Sequence, residues 1–148
     1  MTEQQASTMT QTTGVGTIRT VIESFWAAHS TGDREALKDI VSERIEWTVV
    51  GKTVPIAKKY TGHDGFFNEL LGALDASFDP GTVKMELKNL FVDEDAQIGV
   101  IELFESATTT DGKQFSNNII NVLEVSDGQV TVVREYMDLA EVKDAFGF

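Results

Sequence analysis

Apolar residues recur along this chain with two different periods. Over residues 18–29 they are Ile18, Val21, Ile22, Phe25 and Trp26, ending at His29, the spacing of one helix face. Gly32 reads as the stop signal. Asp33 reads as the N-cap of a second helix, with Ala36, Leu37, Ile40 and Val41 on its apolar side. The period then falls to two, because Ile45, Trp47 and Val49 alternate with Glu46 and Thr48 and so predict a strand. A loop follows, and Thr61 with Asp64 reads as a capping box for a third helix. That helix turns Phe66, Phe67, Leu70, Leu71 and Leu74 inward. Gly65 and Gly72 weaken its intrinsic propensity, so it must depend on packing. Asp79-Pro80-Gly81 ends it.

The remainder alternates with period two in four long runs. Residues 83–92 place Val83, Met85, Leu87 and Phe91 on one face. Runs at 98–108, 114–125 and 130–139 follow, separated by short polar turns, and Asp127-Gly128 is a hairpin signal. Residues 139–148 fit a short terminal helix. Helices first and a strand meander afterwards define the α+β class. The expected architecture is a cone-shaped, curved antiparallel sheet wrapped around three helices, with a pocket between the two layers. Residues 1–14 are polar, rich in Thr and Gln, and predict a flexible tail. One domain is expected over residues 15–148.

Composition narrows the function more than the fold. The chain has 148 residues and a net charge of −12, which opposes binding to nucleic-acid phosphates. There are no cysteines, so disulfides and thiolate metal sites are excluded. No apolar run is long enough for a membrane helix, and the N-terminal residues do not have the pattern of a secretory signal. A cytoplasmic location is the expectation. Metal-binding and nucleotide motifs are absent: there is no HExxH, no calcium loop around Asp93-Glu94-Asp95, no glycine-rich nucleotide turn and no GxSxG elbow.

The chemistry centres on one misplaced acid. In the run 130–139, Thr131, Val133, Glu135, Met137 and Leu139 share a face that is apolar except for Glu135. A carboxylate in such a row is either a pocket acid or base with a raised pKa, or a structural group paired with a neighbour. Asn117 and Asn121 share a face with Ile119 and Leu123 and need partners. They either orient a ligand carbonyl or satisfy Glu135. Glu102 is a candidate to share that interior. Trp47, Tyr60, Phe66, Phe67, Phe104 and Met137 are candidate pocket walls. His29 ends a helix, where the dipole favours the protonated ring, and His63 fits a surface position. Arg134, Tyr136 and Asp138 fall on the opposite face from Glu135, where they suit a surface network or a dimer contact.

Three segments together resemble the nuclear transport factor 2-like superfamily, more closely its SnoaL-like branch of polyketide cyclase and ketosteroid isomerase relatives. They are "FWAAHSTGDREALKDIVSERIEW", "PIAKKYTGHDGFFNELL" and "DGQVTVVREYMDL". The resemblance covers about residues 17–142 and implies a cystatin-like α+β barrel, usually dimeric, with an internal ligand cavity. Such folds host enzymes, binding modules and dimerisation domains alike. Aligned on Gly32-Asp33, Tyr60-Thr61-Gly62 and Asp127-Gly128, the base of a ketosteroid isomerase falls on Val49, its tyrosine on Phe25 and its aspartate on Asn121. The last aspartate of a limonene-epoxide hydrolase falls on Glu135, and its arginine and first aspartate on Glu102 and Phe104. Neither catalytic set is complete.

The expectation is therefore a small-molecule protein without cofactor or metal. Glu135 and Asn121 are its candidate catalytic pair, and Phe25, Glu102 and Asn117 join the aromatic walls in the pocket. The reaction would be an isomerisation, cyclisation or hydration of a hydrophobic carbonyl compound. The alternative is a non-catalytic module that binds a small apolar ligand or dimerises. A homodimer is expected, and neither nucleic acid nor membrane is an expected partner.

Overall fold

Four long strands build the sheet that carries the site, and two of them keep unbroken the alternation read from the sequence. The computed structural model describes residues 17–148, so the tail expected at 1–14 lies outside the described residues. In chain order the elements are α1 (Ile18–Thr31), α2 (Arg34–Ile40), β1 (Val41–Val49) and β2 (Lys59–Thr61). A π-helical segment, Asp64–Leu70, runs into α3 (Leu71–Ser77). Then come β3 (Lys84–Asp93), β4 (Ile98–Thr108), β5 (Gln114–Ser126), β6 (Gln129–Met137) and α4 (Leu139–Phe146). The strands form one sheet in the order β2-β1-β6-β5-β4-β3.

Two features depart from the expected antiparallel barrel. β1 runs parallel to β6, with Trp47 opposite Val133 and Val49 opposite Glu135, so the sheet is mixed. The sheet is also open, because β2 and β3 form its two edges, and it curves without closing. β2 escaped the sequence reading because it is three residues long and two of them are exposed. No capping box forms either. Thr61 belongs to β2, and no side chain caps the helix that starts at Asp64.

Bulges supply curvature and reset the faces. Between β3 and β4 the extra residue is Lys88. Leu90 and Val92 are therefore half-buried while Phe91, expected inward, is 58% exposed. Between β5 and β6 the extra residue is Thr131. Val130 is fully buried as a result and Thr131 is not, the reverse of the expected alternation. Beyond the bulge the register recovers, and Val133 and Glu135 point inward as read. Leu139 is not part of this row; it opens α4, which Asp138 caps by accepting from the Ala140 amide.

The concave face is filled by α1, α2 and the π/α3 helix. Gly32 ends α1 in the left-handed conformation, φ 73°, and its amide donates to the Ala28 and His29 carbonyls. Asp33 caps α2 by accepting from the Ala36 amide, as its side-chain chemistry predicts. The centre of the core is aromatic: Trp47 stacks on Phe66 at 4.8 Å between centroids, with Phe25 at 6.1 Å on another side. Each such side chain contributes about 1.5–3 kcal/mol by burial. α1 lies close enough to β4 that a Cβ on Gly99 would stand 2.6 Å from Ile22, so only glycine fits this crossing. A smaller cluster, built on Phe78, Phe115 and Val142, seals the end of the sheet under α4.

Candidate functional site

Glu135 stands on the concave face because β6 alternates inward at Val133, Glu135 and Met137 after its bulge. It is 9% exposed, and the Trp47 indole Nε1 donates to its Oε1 over 3.0 Å. Burial pushes its carboxyl up to about 7, against the smaller opposing pull of that hydrogen bond. The strand pairing explains the contact. β1 lies beside β6 in parallel register, so an inward residue of β1 reaches an inward residue of β6.

A second acid shares this interior. Glu105 of β4 is 7% exposed and, among the described residues, forms no side-chain hydrogen bond. Burial pushes it up to about 7, and the charge on Glu135 adds to the effect. That repulsion belongs to the pair, since either carboxyl ionises less readily once the other has. The sequence reading had put Glu102 and Phe104 on this face. The structure puts both outside and half-buried: Glu102 accepts from Asn89 over 2.7 Å, and Phe104 lies under Lys88. The inward row of β4 is Gly99, Ile101, Leu103, Glu105 and Ala107. It holds one acid among apolar residues, the same signal that marks Glu135, and that pattern was available in the sequence.

His29 closes the third side. Its ring stacks on Phe25 at 5.2 Å and lies 5.9 Å from Trp47. Burial, with a smaller contribution from Arg34, lowers its pKa to about 4. The helix terminus was expected to favour protonation, but that effect is worth about 0.3–1 kcal/mol. Burial opposes it and favours the neutral ring.

The two asparagines behave differently. Asn117 holds the β6–α4 turn: its Nδ2 donates to the Asp138 carbonyl at 3.0 Å, and its Oδ1 accepts from the Asp138 amide at 2.9 Å. Asn121 lies opposite Glu135 in the β5–β6 register, is 1% exposed, and among the described residues has neither amide atom hydrogen-bonded. It therefore does not satisfy the carboxyl. Trp47 does.

Three spaces adjoin these groups. The largest, about 230 Å³, lies between the end of α1, α2, α3 and the sheet. Exposed Thr31, Gly32, Asp75 and Pro80 mark its mouth, where Arg34 makes a two-pronged bond to Asp75 at 3.0 and 3.2 Å. Glu105 and Leu74 line this space and the two smaller ones, of about 40 and 20 Å³. Glu135 lines both small spaces, and Met137 lines the first of them. Trp47 and His29 line the second. Of the other expected walls, Phe25 and Phe66 are fully buried behind Trp47, and Phe67 packs edge-on against Phe66. Tyr60 spends its hydroxyl on the Ile56 carbonyl at 2.8 Å. These four support the site instead of lining it. His63 is half-buried, with Nε2 2.8 Å from the Val41 carbonyl. Arg134 pairs with Glu124 on the outer face.

No family model matches the chain, and no curated protein matches it. Solved structures do. An NTF2-like protein from Burkholderia thailandensis superposes with a TM-score of 0.78 at 21% identity, over 88% of this chain and 97% of that one. A protein of unknown function with a cystatin-like fold from Xanthomonas campestris gives 0.75 at 21%, over 88% and 98%. A candidate isomerase from Bacillus subtilis gives 0.70 at 16%, over 88% and 92%. The chain therefore has the NTF2-like, cystatin-like fold that its sequence resembles.

Proposed function

We propose that this is a small-molecule enzyme of the SnoaL-like kind, working without a cofactor in the cytoplasm. Its reaction is an acid/base isomerisation, cyclisation or hydration of a hydrophobic carbonyl compound. The observation that carries this reading is Glu135, a buried carboxyl held at one oxygen by Trp47, in a mostly apolar interior that it shares with Glu105 and His29. A carboxyl titrating near 7 is matched to proton transfer at neutral pH, a contribution of about 10²- to 10⁴-fold in rate. Asn121 is the proposed positioning group: among the described residues both its buried amide atoms lack partners, while its side chain lies behind the linings of the three spaces and not in them. The likeness to a candidate isomerase of the same fold is compatible with this chemistry.

The second reading is a ligand-binding or dimerisation module, and the outer sheet face favours it. Phe91, Ile120 and Tyr136 are 58%, 42% and 43% exposed there, and Ile120 and Tyr136 are register partners. Exposed apolar side chains grouped on one face suit a homodimer. Native mass spectrometry of freshly purified protein tests both readings. A co-purified small molecule that the wild type converts on incubation and Glu135→Gln does not supports the enzyme, and one that is retained but never converted supports the module. A dimer with an empty interior, and no thermal shift in a screen of small carbonyl compounds, supports the module.

A further inference from the structure

We propose that Glu105 is a second catalytic carboxyl, working with Glu135 to add water to, or remove it from, a carbon–carbon double bond conjugated to a carbonyl. This rests on the enzyme reading above and narrows it to one reaction class.

The argument begins with register. Glu105 on β4 is opposite Asn117 on β5, and Glu135 on β6 is opposite Asn121. The two acids are thus separated by a whole strand and offset by four residues along it. They cannot be neighbours in the plane of the sheet. Curvature nevertheless turns both toward the same two small spaces. Both line the same small spaces, and no hydrogen bond joins them. A single acid suffices to move a proton from one carbon to another and back. Two acids bordering one space suit a reaction that takes a proton at one atom while delivering one at another.

The size of the gap selects the second reactant. A space needs about 10–15 Å³ to accept a water, and the one between Glu105, Glu135, Trp47 and His29 is about 20 Å³. Glu105 also lines the adjoining cavity of about 230 Å³. That is below the about 300–1,000 Å³ typical of drug-sized ligands, so the carbon skeleton is small.

The step balances without a co-reactant. In the dehydration direction the Glu105 carboxylate, which lines the cavity that holds the carbon skeleton, takes the proton on the carbon next to the carbonyl. The released electron pair forms the double bond as the β carbon–oxygen bond breaks. The leaving hydroxyl, in the small space, takes its proton from the Glu135 carboxyl and departs as water. Glu105 ends protonated and Glu135 ionised, and exchange with solvent resets them. Hydration is the reverse.

The test uses the full chain with cyclohexenone and its β-hydroxyketone hydrate, in water enriched with heavy oxygen. Circular dichroism confirms that Glu105→Gln and Glu135→Gln fold. The expected result is label at the β oxygen, a bell-shaped pH profile, and a loss of about 10²- to 10⁴-fold in kcat/KM for each variant, with one limb of the bell removed in each. Side-chain carboxyl NMR gives an independent readout: Glu105→Gln should lower the midpoint of Glu135. If Glu105→Gln keeps wild-type kcat/KM and leaves that midpoint unmoved while Glu135→Gln is inactive, the role of Glu105 is overturned and that of Glu135 stands. If the wild type turns over neither compound, the hydration proposal is overturned. If native mass spectrometry then also finds the interior empty, the enzyme reading falls with it.

Discussion

The Trp47 indole donates to Glu135 across the parallel seam of the sheet, 3.0 Å from nitrogen to oxygen. One bond thus ties an early strand to the last one and fixes the orientation of a carboxyl that would otherwise be buried without a partner. The electrostatics of the interior follow from that arrangement.

Stability should fall as pH rises from about 5 to above 7. Glu105 and Glu135 hold their protons up to about 7 when folded, whereas an unfolded carboxyl loses its proton near 4.5. Between those values the folded state binds more protons, so each acid makes stability decline with pH. His29 acts in the opposite sense between about 4 and its ordinary 6.5, because there the unfolded state binds the extra proton. Two declining contributions exceed one rising one. Thermal melts across this range check the sign, and Glu135→Gln should flatten the slope and gain roughly 2–3 kcal/mol at about pH 8. A steeper decline in the variant would contradict the assignment.

Replacing Trp47 with Phe separates packing from hydrogen bonding. The lost indole volume costs the same at every pH. The lost donor costs a further roughly 1–3 kcal/mol only where Glu135 is ionised. Urea titrations of Trp47→Phe at about pH 5 and about pH 8 should therefore show a larger destabilisation at the higher value. Equal penalties would mean that the bond contributes nothing.

Asn121→Leu should stabilise the protein, by about 1–3 kcal/mol, because it removes two buried polar atoms without partners at similar volume. The same change should abolish retention of any ligand the amide positions. A destabilised variant would show that Asn121 is satisfied in solution.

At the α1–β4 crossing, Gly99→Ala should cost about 1–3 kcal/mol through overpacking against Ile22. Shortening the neighbour should relieve the clash, so Gly99→Ala with Ile22→Val should be less destabilised than the two single changes added together. A double-mutant cycle by chemical denaturation measures that coupling. Strict additivity would rule out direct contact.

Much of the fold can be read in the chain because local signals and packing agree. Gly32 and Asp33 stop and restart helices through their own backbone and side-chain chemistry, and the β4 and β5 alternation survives intact. What could not be read depends on distant contacts. The insertions at Lys88 and Thr131 exist only relative to a partner strand, so no local pattern announces that Phe91 turns out and Val130 turns in. β2 is too short to carry a period, and it exists because Tyr60 pairs with Trp47. The parallel seam between β1 and β6 leaves no mark on either segment. Glu135 was legible because its neighbours are apolar. Glu105 is equally marked within its own row, whereas Glu102 and Phe104, the positions matched by the epoxide-hydrolase pattern, alternate onto the other face. The pairing of Asn117 with the Asp138 backbone depends on where β6 ends, and the sequence pattern carries that strand to Leu139, two residues past its end at Met137.

The seam between β1 and β6 also sets when the protein becomes itself. Trp47 and Glu135 lie 88 positions apart, so a nascent chain leaving the ribosome carries the indole long before its acid is synthesised. Contacts of such long sequence separation form slowly. Until the final hairpin arrives, β1 has only the three residues of β2 to pair with, and its other edge stays open. Quality control would meet that vulnerable edge in every molecule made, and a chain cut short before the last strand would lack both the acid and α4 and never assemble the interior.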